Sequence, residues 1–216
     1  MQFILDFLAD LGQNNHREWF TENKSRYEKA KKEFQNLVQE LIKEIGFFDA
    51  DIASLEVKQC MFRINRDVRF SKNKSPYKDN LGASLQKGGK KSSYAGYYLH
   101  LQPNASFIGG GVYMPPSADL AKVRQEIDYN ADELRGLIKA DSFQKFFGKL
   151  QGEELVTAPR GYDKDNPNID LIRMKSFVMI HPCSDNLIKG DDFKKTIIEA
   201  SQAMKPVLDF LNRGLE

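Results

Sequence analysis

Apolar positions recur along this chain at two periods. Between residues 2 and 12, Phe3, Ile4, Phe7, Leu8 and Leu11 fall at three- and four-residue steps, which predicts a short amphipathic helix ending at Gly12. Asn15 followed by Glu18 resembles a capping box with Asn in place of Ser or Thr, so a second helix carrying Trp19 and Phe20 is expected to start there. It runs or kinks into a longer one whose inward set is Tyr27, Ala30, Phe34, Leu37, Val38, Leu41, Ile42 and Ile45, with Gly46 as its stop.

The period then changes from helical to alternating. Cys60, Phe62, Ile64, Val68 and Phe70 share one parity, and Arg63, Asn65, Asp67 and Arg69 share the other, which predicts a strand from Cys60 to Phe70 with a core face and a polar face. Arg66 breaks the apolar face, implying a bulge or a buried guanidinium paired with a carboxylate. Leu81 to Gln86, Tyr94 to Leu101 and Ser106 to Tyr113 alternate as well, separated by short Gly- or Pro-containing turns. Four successive strands on short loops make an antiparallel meander over about residues 57–113. Gly109-Gly110-Gly111 predicts a bulge or a close backbone approach within it.

Helical spacing returns after Pro115-Pro116. One helix is expected from Ser117 or Asp119 through Ile127, one around Leu134 to Ile138 and one from Asp141-Ser142. Ser176 to His181 reads as a strand buried on both faces. Asp191-Asp192 opens a final helix through Leu211, kinked at Pro206. The expected fold is α+β, a single domain over residues 1–216, with the meander packed by N-terminal and C-terminal helices.

Charge changes this picture in one place. Formal net charge is only +2, yet Lys58 to Lys78 holds seven Lys or Arg against one acid, +6 by count, leaving −4 for the rest. Any affinity for an anion must come from this segment. Its polar row, Arg63, Asn65, Asp67 and Arg69, would span roughly 20 Å at about 3.3 Å per residue. Ser71 to Pro76 reads as a turn that places Lys74, Tyr77 and Lys78 on a loop beside the row. Arginine's planar fork suits bidentate capture of phosphate or carboxylate. The expected ligand-binding set is therefore Arg63, Asn65, Asp67, Arg69, Lys74, Tyr77 and Lys78, with Asn15 and Trp19 completing a pocket.

Leu11 to Tyr27, Phe62 to Lys78, Gly96-Tyr97-Tyr98, Gly109 to Gly111 and Pro159-Arg160-Gly161-Tyr162 together resemble the family of conserved hypothetical proteins called domain of unknown function 2461. The resemblance implies that these stretches form one constellation. It supplies no mechanism.

Other chemistries are excluded by spacing. No P-loop, dinucleotide fingerprint or nucleophile elbow occurs, and His16, His100 and His181 show no metal-ligand spacing. No apolar run approaches 18 residues, so no membrane association is expected. Cys60 and Cys183 are read as free thiols of a cytoplasmic protein. Three functions follow. The first is binding of a phosphorylated or other anionic small molecule. The second is nucleic-acid binding, with Tyr94, Tyr98 or Trp19 stacking on bases. The third is an enzyme with Asp67 or His100 as general base and the arginines stabilising developing negative charge.

Overall fold

The computed structural model describes residues 1–216. The N-terminal helices are α1 (Gln2–Gln13), α2 (Arg17–Glu22) and α3 (Lys24–Gly46), followed by the single turns α4 (Ala50–Ala53) and α5 (Val57–Cys60). Strands β1 (Leu81–Gln86), β2 (Gly96–Leu101) and β3 (Ser106–Val112) come next, then α6 (Ser117–Lys139), α7 (Asp141–Phe146) and α8 (Ile169–Ile172). Strand β4 (Phe177–Cys183), the short α9 (Asp185–Lys189) and the long α10 (Asp192–Leu215) complete the chain.

The fold is α+β: a four-stranded antiparallel meander, ordered β1-β2-β3-β4, with N-terminal and C-terminal helices packed against it. Its membership differs from expectation in one strand. Cys60 closes α5, and the segment after it touches the sheet region only at isolated bridges, Met61 to Ala83 and Asn65 to Tyr77. Four steps along one side face six along the other, so the pairing is broken by bulging residues. The alternating face could not hold a strand in place, because it contains Arg66 and leaves Phe62 36% and Phe70 96% exposed. The fourth strand is β4, which pairs with β3 and has Gln151 bridged to Val178. It is alternately buried rather than buried on both faces.

Two further expectations are corrected by the backbone. Register runs unbroken through Gly109 to Gly111, so the glycines mark close approach rather than a bulge. A Cβ on Gly110 would stand 2.7 Å from Sδ of Met204, and its absence lets α10 lie tightly on β3. The cap of α2 is His16 rather than Asn15: its ring accepts from the Trp19 N–H at 3.4 Å. α6 bends at Asn130, where the two predicted helices meet, and α10 passes through Pro206 as one helix.

The helix side of the sheet carries Leu81, Ala83, Leu85, Tyr97, Leu99, Leu101 and Ile108, all at most 3% exposed. They join α1, α3, α6 and α10 in one contiguous cluster of 48 buried residues. Polar groups on this side are matched: the Tyr97 hydroxyl donates to Asp49 at 2.8 Å, and burial holds that phenol protonated. Asn212 of α10 serves the backbone of Ala95 twice, accepting from its N–H at 2.7 Å and donating to its carbonyl at 3.2 Å. A side-chain amide thus stands in for a neighbouring strand at the start of β2.

Candidate functional site

The basic segment folds back on itself as a short irregular ribbon. Arg66 N–H donates to the Pro76 carbonyl at 2.9 Å, Lys78 N–H to Ile64 at 2.8 Å, and Phe62 N–H to Gly82 of β1 at 3.0 Å. Ile64 is 4% exposed and anchors the ribbon in the core. Arg63 and Lys78 are thereby carried to the same part of the β1 edge.

The cations of the segment have different fates. Arg69 grips Asp67 with two bonds, Nε to Oδ1 at 3.0 Å and Nη2 to Oδ2 at 2.7 Å, and this holds the Asp67 carboxyl below its ordinary value. Arg66 is neither at a carboxylate nor free: it donates to the Ser75 carbonyl at 3.1 Å and to Ser71 Oγ at 3.4 Å, clamping the turn. Lys74 donates to the Val68 carbonyl at 3.1 Å. Arg63, Lys72 and Lys78 form no salt bridge, although Arg63 stands near enough to Asp67 to add to the hold that Arg69 has on its carboxyl. Burial pushes the Lys78 ammonium below the ordinary lysine value, and the nearby charge of Arg63 pushes it further the same way.

Asn15 and Tyr77 do meet, through backbone. Asn15 donates to the Tyr77 carbonyl at 3.0 Å and accepts from its N–H at 3.1 Å, as Asn212 does for Ala95. Phe20 stacks on the Tyr77 ring, centroids 3.9 Å apart. Trp19 points elsewhere, against Phe7 at 6.2 Å and beneath Arg26. The N-terminal helices therefore hold the loop in place through Asn15 and Phe20. Asn65 is exposed on the ribbon opposite Tyr77.

Beside Arg63 and Lys78 stands an aromatic wall that pattern reading divided between core and surface. Lys78 Nζ lies 5.4 Å from the centroid of Phe62, which meets Tyr98 edge-on at 6.1 Å. Tyr98 contacts Phe107 at 5.7 Å, and His100 stacks on Phe107 at 4.8 Å. Tyr98, His100 and Phe107 occupy the sheet face opposite the helices and are half-buried, and Phe62 beside them is exposed. Gly82 allows it: a Cβ there would collide with the Tyr98 hydroxyl at 2.6 Å.

A chain of hydrogen bonds fixes the wall. Gln102 Nε2 donates to Asp79 at 3.1 Å, so its Oε1 accepts from His100 Nε2 at 2.9 Å. That assignment leaves His100 Nδ1 as an acceptor for the Tyr98 hydroxyl at 3.2 Å. Both ring nitrogens are then occupied, and burial keeps the Tyr98 phenol protonated. Tyr94 lies apart from this wall, under Lys87 at 4.8 Å.

A surface depression of about 540 Å³ is remote from these residues. It is bordered by Arg135, which is already bidentate with Asp170 at 3.1 and 2.6 Å. No group of three or more His, Cys, Asp or Glu side chains is gathered where a metal ion would be held. Cys60 and Cys183 are free and buried, and burial lifts each thiol to about 11. No helix is long and apolar enough to cross a membrane.

Fold and site together define a two-layer α+β protein whose open sheet face is aromatic and edged by Arg63 and Lys78. The chain belongs to the family described as conserved hypothetical protein (DUF2461), whose model matches residues 3–210. No curated protein and no solved structure matches it.

Proposed function

We propose that this protein binds a phosphorylated or comparable anionic ligand between Arg63 and Lys78. The observation that carries the reading is a pair of neighbouring cations with no salt bridge to either, one member of which is partly withdrawn from water. Such a pair is unfavourable in the free protein and becomes favourable when an anion sits between the two groups. Asn65 lies on the same ribbon and is available to orient the ligand. Asp67 and Arg69 satisfy each other and serve to shape the loop, while Asn15 and Phe20 hold it through Tyr77 and Trp19 stands apart.

A catalytic reading has less support. Asp67 is held ionised by Arg69, and both nitrogens of His100 are engaged, so neither is free to act as a general base. A nucleic-acid reading draws on the open, aromatic character of the sheet face.

Thermal-shift titration with inorganic phosphate and phosphosugars at low salt tests the proposal. The expected result is a concentration-dependent rise in Tm that disappears in Arg63→Ala and in Lys78→Gln while both variants keep the unliganded Tm. No shift with any phosphate compound, or an unchanged shift in both variants, defeats it.

A further inference from the structure

Arg63 and Lys78 do not stand alone at the edge of β1. Lys78 lies over Phe62, Phe62 meets Tyr98, and Tyr98 with Phe107 and His100 forms a continuous aromatic surface that is only partly buried. We infer that the ligand is a nucleoside phosphate, its phosphate between Arg63 and Lys78 and its base on the aromatic surface beside Phe62. The inference rests on the anion-binding reading above and adds the class of ligand.

Three features argue for a planar group next to the phosphate. First, the aromatic rings are gathered on the face opposite the helices, where burial in the core does not account for them. A simple anion site needs donors and no rings; a base has a π-face for which exposed rings are the natural partner. Secondly, two of the rings are held in place. The chain from Asp79 through Gln102 and His100 to Tyr98 fixes the orientation of His100 and Tyr98, so little rotamer freedom is lost there when a flat group lands on them. Thirdly, the cations are at one end of the surface only. The path from Lys78 past Phe62 to Tyr98 has the scale of a phosphate joined through a sugar to a base.

The chemistry is shared by a free mononucleotide and by one residue of a single strand. The site distinguishes both from a phosphosugar, which offers the phosphate and lacks the base.

The test compares equilibrium binding of adenosine 5′-monophosphate, uridine 5′-monophosphate, ribose 5-phosphate and inorganic phosphate to the full chain at low salt. Phe62→Ala and Phe107→Leu remove rings while leaving Arg63 and Lys78. The mononucleotides are expected to bind about tenfold or more tightly than ribose 5-phosphate. Phe62→Ala should erase that preference while leaving ribose 5-phosphate binding unchanged, and Phe107→Leu should reduce it. Equal affinity for mononucleotide and ribose 5-phosphate, or a preference that survives both ring variants, overturns the inference while the anion reading stands. Failure of every phosphate compound to bind overturns both. A short single-stranded oligonucleotide supplies the second arm. Binding much tighter than the mononucleotide, with a steep loss on adding salt, identifies the strand as the source; affinity equal to the mononucleotide identifies the free nucleotide.

Discussion

The two faces of the meander are made of different residues, although the same strands build both. On the helix side Leu99 partners Ala83 and Ile108, and all three are at most 2% exposed. One residue along, His100 partners Gly82 and Phe107, and the face carries rings, glycines and hydrogen bonds in place of packed aliphatic side chains. Burial alone explains the first face, since apolar area removed from water stabilises it without further specification. It does not explain the second, where aromatic groups are oriented by a polar chain and left partly in solvent. Stability therefore resides on one side of the sheet and the candidate chemistry on the other.

Substitutions should separate the two. Leu99→Ala, which opens a cavity among α-helical and strand neighbours, is expected to cost about 2–5 kcal/mol in denaturant unfolding and to leave ligand affinity unchanged in the folded fraction. Asn15→Ala strips two hydrogen bonds from the backbone of Tyr77 and is expected to cost about 1–3 kcal/mol, because the exposed polar groups must find water instead. Phe107→Ala, on the open face, should cost about 1–3 kcal/mol, the loss of a half-buried ring together with its aromatic contacts. A cost above that of Leu99→Ala would mean the open face is core after all.

Smaller effects test the cations. Lys78→Gln should leave the unliganded Tm unchanged or slightly raised, since it removes a partly buried charge repelled by Arg63. The pH dependence has a definite sign. The folded-state value of Lys78 lies below its unfolded value, so its contribution to stability improves as pH rises from the lowered value toward the ordinary lysine value. Anion affinity moves oppositely, falling over that window as the ammonium is lost; an affinity independent of pH there removes Lys78 from the site. Smallest of all, the paired change Asp67→Asn with Arg69→Ala should leave phosphate affinity unchanged, because the two groups occupy each other and no freed carboxylate is left beside Arg63.

Much of the architecture was legible in the chain. The three- and four-residue spacing of Phe34, Leu37, Val38, Leu41 and Ile45 located α3, and strict alternation located β1, β2 and β3. β4 was recognised as a strand, yet its place beside β3 depends on a pairing across sixty-odd residues that no local pattern encodes. The basic segment shows the opposite failure. Its alternation is real, but Arg66 and two exposed phenylalanines leave one face with too little to bury, and the strand is replaced by a clamped ribbon. The Asp67 and Arg69 pairing was foreseeable from their two-residue spacing. The approach of Arg63 to Lys78 was not, because it depends on bulged residues between the bridges. Phe62 was missed as a wall residue for a similar reason, since its parity reads as core, and Phe107 because its strand alone does not say which face meets the helices.

The reciprocal bonds of Asn15 to Tyr77 carry a consequence for exchange with solvent. A loop amide ordinarily gives up its hydrogen to deuterium quickly, whereas the Tyr77 amide is capped by a side chain that belongs to the linker between α1 and α2. Its protection factor is thus set by how often those helices lift away, and not by the stability of the sheet nearby. The amide of Tyr77 is in effect a built-in reporter of undocking at the N-terminus, and the amide of Ala95, held by Asn212, is its counterpart for α10.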